Sequence, residues 1–288
     1  MTGRIVDNLL FGFKNERFFE NLKYLDTSYG KIRIFDSGGN NPVIINAPDG
    51  PNTIEHQIPL LRELSKNYRV ICFEYPGVGF SYPNSKYDYS FSSGANLIFE
   101  IMEILKIAKG SLVFSCFNGY YALNAAMISS DKFNHVFIIQ TPSINSIVEW
   151  TKKSIPTLLK IPIVGQLTNK VIVKKLSNVW YDVSLPRNSD LKKEFKRKSY
   201  DSLCQGGCFC LSSLVQGLTK DKTFKLNIKN SKVTMIWGAK DFSHRNTSKE
   251  SIKDHVKNCE VIEFSGCGHF PELENSTKFV KLVNERLN

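Results

Sequence analysis

Short apolar runs alternate along most of the chain with longer segments in which apolar residues recur at helical spacing. The runs predict strands at residues 31–35, 43–45, 70–73, 111–115, 136–139, 233–237 and 261–264. The helical spacing predicts helices at about residues 55–65, 92–107, 248–256 and 276–287, and one more directly after residue 116. Strands and helices that alternate in this way are typical of the α/β fold class, in which helices flank both faces of a mostly parallel central sheet.

This alternation stops after residue 141 and resumes near residue 231. We therefore predict a core in two parts, residues 1–141 and 231–288, with residues 142–230 inserted between them as a helical cap, or lid. An insertion that follows a parallel strand starts at the edge of the sheet where such folds bind ligands. The cap residues that are candidates for lining an apolar pocket are Trp150, Leu158, Leu159, Trp180, Phe209 and Leu211.

Composition limits the class of protein and its location. The chain has 288 residues, of which 42% are hydrophobic, enough for a complete core. Its first residues lack the continuous apolar stretch of a signal peptide, and no run approaches the ~20 apolar residues of a transmembrane segment. The seven cysteines, an odd number in mostly apolar surroundings, fit reduced thiols better than a disulfide framework. We therefore expect a cytoplasmic protein.

Positive charge is concentrated in the predicted cap. The net charge is +11, and residues 144–231 alone carry 16 Lys and Arg against 6 Asp and Glu. This charge fits either a well-solvated lysine-rich lid or a surface that attracts an anionic partner, such as a coenzyme A ester, an acyl carrier protein or a membrane face. No nucleic-acid-binding motif accompanies the charge, so we expect no nucleic acid partner.

A predicted strand and a predicted helix meet without a linker at Cys116. The strand covers residues 111–115, and Asn118 and Gly119 fall in the first turn of the helix. A junction of this kind exposes the side chain at its apex above the sheet, with the positive end of the helix dipole directed at it. Cys116 is therefore the candidate nucleophile.

Four separated motifs resemble those of the α/β-hydrolase superfamily, in the order that the superfamily requires. Pro-Asp-Gly-Pro at 48–51 resembles its H-G-x-P loop, and Glu-Tyr-Pro-Gly-Val-Gly-Phe-Ser at 74–81 resembles its D-x-P-G-x-G-x-S turn. Residues 236–241 resemble the W-G-x-x-D motif, and residues 266–271 resemble the G-x-G-H-x-P loop. The resemblance covers about residues 29–287 apart from the cap. It implies an α/β-hydrolase fold, with Cys in place of the usual Ser nucleophile.

The resemblance also implies a catalytic triad of Cys116, Asp241 and His269, in the superfamily's chain order. A thiol with an ordinary pKa near ~8.5 is only a few per cent thiolate at neutral pH, so it needs a base. His269 is the candidate base, and Asp241 would fix the tautomer of its imidazole and stabilise the protonated ring. His244, three residues after Asp241, fits better as a neighbour of that loop than as the base.

Two residues just before Cys116 in the sequence bear on its assignment as the nucleophile. Ser115 is a rival nucleophile, but Gly119 and Ala122 match the family's G-x-x-A-L helix and so favour Cys116 as the apex. Phe114 occupies a position where the family has a small residue, and we expect it to crowd the turn.

The oxyanion hole requires two backbone N–H groups directed at the developing negative charge. Phe117, the residue after the nucleophile, supplies one. The second must come from residues 48–51, where neither proline can donate, so Asp49 or Gly50 supplies it, and we favour Gly50. Because a carboxylate would oppose the oxyanion, we expect the Asp49 side chain to point away from the site.

A cysteine nucleophile resembles that of dienelactone hydrolases and polyhydroxyalkanoate synthases, whereas the epoxide hydrolase and haloalkane dehalogenase branches need Asp at this position. We therefore predict an esterase or thioesterase that forms an acyl-enzyme on Cys116 and takes a small-molecule acyl substrate, with coenzyme A or an acyl carrier protein as candidate carriers. The alternatives are an acyltransferase that uses the same cysteine, or a non-catalytic ligand-binding homologue, which Phe114 and the missing His-Gly pair favour.

No cofactor or metal is expected. Residues 77–79, Gly-Val-Gly, lack the third glycine of a dinucleotide-binding loop. The cap cysteines Cys204, Cys208 and Cys210 have no second paired cluster and no neighbouring histidine, so they do not form a zinc motif.

Overall fold

An eight-stranded, mostly parallel sheet forms the centre of the computed structural model, which describes residues 2–11, 21–220, 225–229 and 231–287. Its strands run in the order β1-β2-β4-β3-β6-β7-β9-β10, and β1 and β2 are antiparallel to their neighbours. The bounds of these strands are β1 Leu22–Thr27, β2 Gly30–Asp36, β3 Val43–Ala47, β4 Arg69–Phe73, β6 Gly110–Ser115, β7 Phe133–Ile139, β9 Val233–Gly238 and β10 Glu260–Phe264. Two short strands, β5 Val78–Gly79 and β8 Cys208–Phe209, pair separately. The predicted fold class is confirmed.

Successive side chains of the central strands face opposite sides of the sheet, as the two-residue period of a strand requires. In β3, Ile44 and Ile45 belong to two different apolar clusters, and Leu112 and Val113 of β6 divide in the same way. Burial on both faces explains why these strands appear in the sequence as continuous apolar runs.

Helices cover both faces of the sheet. α2 and α11 pack on one side, and α3 and α4 pack against each other on the other. The helices of the described part are α1 Thr2–Phe11, α2 Ile54–Leu64, α3 Phe91–Ile104, α4 Phe117–Ile128, α5 Ile144–Ser154, α6 Thr157–Lys160, α7 Val164–Ser184, α8 Leu191–Cys204, α9 Leu211–Lys220, α10 Pro271–Glu274 and α11 Ser276–Leu287.

Helices α5 to α9 fall within the segment predicted as the cap, and the densest basic stretch, residues 192–198, lies on α8. The division at residues 141/142 and 230/231 stays a prediction. Among the described residues, no helix combines the length and hydropathy needed to cross a bilayer.

A buried ion-pair network anchors the chain directly after the Pro48–Pro51 loop, at the start of α2. The Arg33 guanidinium lies 2.6 Å from the Glu74 carboxylate and 2.7 Å from that of Glu55. Glu74 also accepts hydrogen bonds from the backbone N–H of Ile54, 3.0 Å away, and of Phe80, 2.7 Å away. Because Ile54 begins α2, the network joins β2, the end of β4 and the start of that helix.

We expect Arg33→Met to lower the free energy of unfolding by about 3–5 kcal/mol, because it leaves the fully buried Glu74 without a cation. Urea denaturation followed by circular dichroism measures the loss. The matched control is Lys23→Met. Lys23 is partly exposed and pairs with the carboxylate of Asp36, which keeps Arg69 as a second partner when Lys23 is replaced. This substitution should cost less than about 1 kcal/mol, and equal losses in the two variants would contradict a buried network that positions α2.

Candidate active site

The backbone is sharply bent at Cys116, between β6 and α4, where φ is 50° and ψ is −117°. The Cys116 N–H donates to the carbonyl of Ile139, at 2.6 Å, and its carbonyl accepts from the Thr141 hydroxyl, at 3.0 Å. A side chain at Gly119 would collide with Thr141, so the first turn of α4 requires glycine there. These contacts hold Cys116, a non-glycine residue, at a positive φ, a strained conformation that is found most often at functional sites.

Phe114 does not crowd this turn. Its ring is fully buried in the core and packs against Phe73 and Tyr75, with ring centroids 5.9 and 6.3 Å apart. The expected steric conflict is therefore wrong, because strand alternation directs Phe114 into the apolar cluster below the junction.

Ser115 lies beside Cys116 but is engaged elsewhere. Its hydroxyl donates to the carboxyl of Glu272 at 2.9 Å, and both residues are buried. Burial raises the pKa of Glu272 to about 8. Ser115 is not part of the cavity wall that contains Cys116.

His269 and Asp241 form a short, buried pair. The imidazole Nδ1 lies 2.6 Å from Asp241 Oδ2, and the same carboxylate accepts from the Gln140 side-chain amide at 2.7 Å and from the Ser243 N–H at 2.9 Å. Although burial opposes ionisation, the charge of His269 and its hydrogen bond, helped by His244 and the Ser243 side chain, lower the pKa of Asp241 to about 2. Burial alone would lower the pKa of His269, but the Asp241 carboxylate raises it well above its ordinary value.

Asp49 points into the site, so the expectation that its side chain turns away is wrong. Its Oδ2 lies 3.4 Å from His269 Nε2, an ion-pair distance, although the geometry is not that of a hydrogen bond. The loop is held in this position because the carbonyl of Pro48 accepts from the Asn118 side-chain amide at 2.9 Å. Burial raises the pKa of Asp49, and His269 opposes that rise.

The Cys116 thiol is strongly disfavoured as a thiolate in this environment. Its residue is 7% exposed, and burial, followed by the negative charge of Asp49, raises the thiol pKa to about 11 despite the opposing effect of His269. The resting site therefore holds a neutral thiol, with the imidazole of His269 placed between the carboxylates of Asp241 and Asp49.

The residues predicted to form the oxyanion hole, Phe117 and either Gly50 or Asp49, all lie in the wall of the same cavity as Cys116. A side chain at Gly50 would overlap the ring of Phe209 from β8, so the close packing of the two segments requires glycine. The assignment of their N–H groups to an oxyanion stays a prediction.

A cavity of about 330 Å³ opens above Cys116, between the sheet edge and helices α5, α7 and α9. Of the predicted lining residues, Trp150, Trp180, Phe209 and Leu211 contribute to its wall, whereas Leu158 and Leu159 do not. Within the described part of the chain, Asp49 and Arg245 are the charged residues in that wall. The cavity therefore suits a mostly apolar ligand.

Two aromatic neighbours of His269 were not predicted to contact its imidazole. The His244 ring stacks between Trp150 and His269, with centroid distances of 5.2 and 5.4 Å, and burial lowers its pKa to about 4. The indole of Trp180 meets His269 edge-on at 4.9 Å. His244 was predicted as a neighbour of the Asp241 loop, which matches its position.

Two groups of potential metal ligands occur among the described residues. One comprises Asp49, Cys116 and His269, and the other Asp241, His244 and His269. Each group contains two of the three predicted triad residues, and the Nδ1 of His269 already bonds Asp241. The cap cysteines belong to neither group. The absence of a metal and of a cofactor stays a prediction.

Comparison with solved structures shows the same fold. The chain superposes on epoxide hydrolase A from Mycobacterium thermoresistibile with a TM-score of 0.72 and 14% identity, covering 92% of this chain and 97% of that one. The enol-lactonase from Burkholderia xenovorans LB400 gives a TM-score of 0.72 and 16% identity, covering 92% and 99%. A mutant of the meta-cleavage product hydrolase from Pseudomonas fluorescens IP01, complexed with acetates, gives 0.68 and 21%, covering 92% and 97%.

Among curated protein sequences, none matches this chain. The family model for the α/β-hydrolase fold matches residues 42–276, from the start of the parallel sheet to the beginning of the last helix. The chain therefore belongs to the α/β-hydrolase family.

Proposed function

We propose that the protein is a cysteine-dependent hydrolase that cleaves an ester or thioester of an apolar acyl group through a covalent intermediate on Cys116. The observation that carries this proposal is the placement of Cys116 at a strained bend, in the wall of an apolar cavity, next to an imidazole that Asp241 orients. Family membership supports hydrolase chemistry in general, and the identity of the nucleophile rests on this geometry.

Asp49 determines when His269 can act as a base. Nε2 must be neutral to accept the thiol proton, whereas the two carboxylates favour the imidazolium. We infer that Asp49 moves from its 3.4 Å position to within hydrogen-bond distance of Nε2 and takes the Nε2 proton before the sulfur attacks, since burial raises the pKa of its carboxyl. A protonated Asp49 also no longer opposes the negative charge of an oxyanion.

The reaction then proceeds in two balanced halves. The Cys116 proton moves to His269 Nε2 as the sulfur bonds to the carbonyl carbon of the substrate. The electron pair of the C=O bond moves to the carbonyl oxygen, which faces the Phe117 and Gly50 N–H groups. Collapse of this intermediate expels the alcohol or thiol, which takes the proton from Nε2. Water then attacks the thioester carbonyl and gives a proton to Nε2. Collapse of the second intermediate breaks the carbon–sulfur bond, and the departing sulfur takes that proton back from Nε2, which releases the acid and restores the Cys116 thiol. An acceptor other than water would make the same intermediate an acyltransferase.

The lining of the cavity favours direct contact with an apolar acyl group over direct contact with a highly charged carrier. The basic stretch at residues 192–198 lies on α8, which does not contribute to the cavity wall, and Arg245 is the cation of the wall. A coenzyme A or carrier-protein thioester thus stays a candidate substrate without support from the lining.

Binding without turnover is the second candidate function. The Asp49 carboxylate and the raised pKa of the Cys116 thiol, about 11, both oppose formation of an anionic nucleophile. A receptor for an apolar acyl ligand would use the same cavity and would need no thiolate.

We expect the purified protein to release product from a panel of aromatic esters and acyl thioesters with an initial burst, and Cys116→Ala to abolish both burst and turnover. The reason is that the sulfur carries the acyl group between the two halves of the reaction. Stopped-flow absorbance measures the burst. Cys204→Ala, which removes an exposed thiol, is the matched control and should retain activity. Tight binding of these compounds to the wild-type chain without release of product would instead indicate the receptor.

We expect Asp49→Asn to increase the rate of Cys116 alkylation at neutral pH by at least about tenfold, because a fall of one unit in the thiol pKa raises the thiolate fraction tenfold. The wild-type rate should keep rising with pH toward the thiol pKa of about 11, and the rise in the variant should be centred at lower pH. Iodoacetamide labelling from pH 7 to 10, quantified by mass spectrometry of the Cys116 peptide, measures both.

The control for removal of the Asp49 charge is Asp131→Asn, which removes an exposed carboxylate outside the site. It should leave the Cys116 profile unchanged. An identical pH profile in wild type and Asp49→Asn would show that the Asp49 carboxylate does not act on the thiol.

A further inference from the structure

Exposed aliphatic side chains form a ridge on the cap, which we define as residues 157–171, comprising α6, the loop after it and the first two turns of α7. The exposed fraction reaches 82% for Val171, 54% for Leu158 and 51% for Leu167, and lies between 40% and 44% for Ile161, Ile163 and Val164. Val164, Leu167 and Val171 follow one another at spacings of three and four residues, so they share one face of α7. Aliphatic residues clustered in this way are unusual on a surface that faces only water.

The same region carries an excess of positive charge, in which Lys152 pairs at 2.6 Å with Glu149, just outside the region. Between residues 151 and 181 the sequence has no Asp or Glu but has six lysines, which are Lys152, Lys153, Lys160, Lys170, Lys174 and Lys175. All but Lys160 are exposed, and Lys160 is partly exposed. Lysine side chains of this kind lay their aliphatic stems on apolar surface while the ammonium groups reach outward.

The ridge adjoins the mouth of the cavity. Ser154, Ile155 and Pro156 line the cavity, with Ser154 and Pro156 also exposed, and the chain continues from them directly into the ridge. Val179, on the same helix as Val171, lines the cavity and is 50% exposed. A surface that covers the ridge would therefore lie beside the entrance to the site.

We propose that the cap ridge binds the surface of a bilayer that contains anionic phospholipids. The exposed aliphatic residues match the acyl boundary of such a surface, and the surrounding lysines match the negative potential of its headgroups. A nucleic acid would neutralise the lysines but leave the aliphatic residues in water. Docking would place the cavity mouth next to lipid, where apolar acyl compounds partition, and it does not depend on the reaction at Cys116.

Flotation with vesicles of phosphatidylcholine, alone or with about a third phosphatidylserine, tests the proposal with the full chain at low and physiological salt. We expect binding to the vesicles that contain phosphatidylserine, weakened by salt, and little binding to phosphatidylcholine alone. No binding to anionic vesicles at low salt would overturn the proposal.

Two sets of variants separate the charged and apolar contributions. Combined Lys152→Gln, Lys153→Gln and Lys160→Gln should weaken the partition coefficient by about 100-fold, since each lysine near an anionic surface contributes about fivefold. Combined Leu158→Ser, Leu167→Ser and Val171→Ser should weaken it by at least about tenfold through loss of apolar burial. Each altered side chain is wholly or partly exposed, and the thermal unfolding midpoint of each variant verifies the fold.

Matched control variants alter exposed residues of the same kinds elsewhere on the surface. They are Lys66→Gln, Lys253→Gln and Lys281→Gln for charge, and Ile104→Ser, Met127→Ser and Ile128→Ser for apolar surface. These should retain binding, and an equal loss in the control and ridge variants would contradict a specific docking surface. A dimer seen by light scattering that the ridge serines dissociate, without vesicle binding, would assign the ridge to a second copy of the chain instead.

Esterase activity distinguishes failure of this proposal from failure of the proposed function. Activity on dissolved substrates with no vesicle binding would overturn the membrane surface alone. Vesicle binding by a protein whose Cys116 does not react with esters or thioesters would overturn the proposed hydrolase function alone.

Discussion

The imidazole of His269 lies between two carboxylates, and the properties of the site depend on that arrangement. Asp241 holds Nδ1 at 2.6 Å, while Asp49 faces Nε2 at 3.4 Å. All three groups are buried, so their charges interact without much screening by water. A positive ring between two negative groups is favourable, and a thiolate beside Asp49 is not. Proton position within this cluster therefore controls whether Cys116 can attack.

The sheet and the segment predicted as the cap both contribute to this arrangement. The Arg33 network anchors the start of α2, and Asn118 on α4 ties down the carbonyl of Pro48, so the loop that carries Asp49 is held from two directions. The predicted cap segment includes Phe209, which packs against Gly50, and Trp180, which packs against His269. These contacts help to bury the cluster, and burial strengthens the effect of each charge on its neighbours.

The sequence predicted the elements that depend on local pattern. The buried strands appear as apolar runs, and the motifs around Cys116, Asp241 and His269 place those residues at strand ends, which meet at one edge of a parallel sheet. β1 was missed because this antiparallel edge strand, Leu22–Thr27, lacks a two-residue alternation in burial. The helix expected at about residues 248–256 is a 3₁₀ helix, Lys249–Asp254.

Features that depend on contacts between distant segments could not be predicted in the same way. The direction of the Asp49 side chain is set by Asn118 and by the opposing charge of His269, which are remote in sequence. Gln140 contacts Asp241, which lies 101 positions later in the sequence. The only local signal for a role of Gln140 was that a polar residue directly follows a buried strand. Trp180 was expected only as a pocket residue, because its contact with His269 depends on how α7 crosses the sheet edge.

The protonation state of His269 tests this account most directly. A pH titration of the imidazole nitrogens by NMR, on protein labelled with ¹⁵N-histidine and assigned with His269→Gln, reports whether both nitrogens carry protons. We expect the ring to remain an imidazolium well above its ordinary pKa in the resting protein. A His269 that loses its proton at or below pH ~6.5, the ordinary value for histidine, would contradict the account.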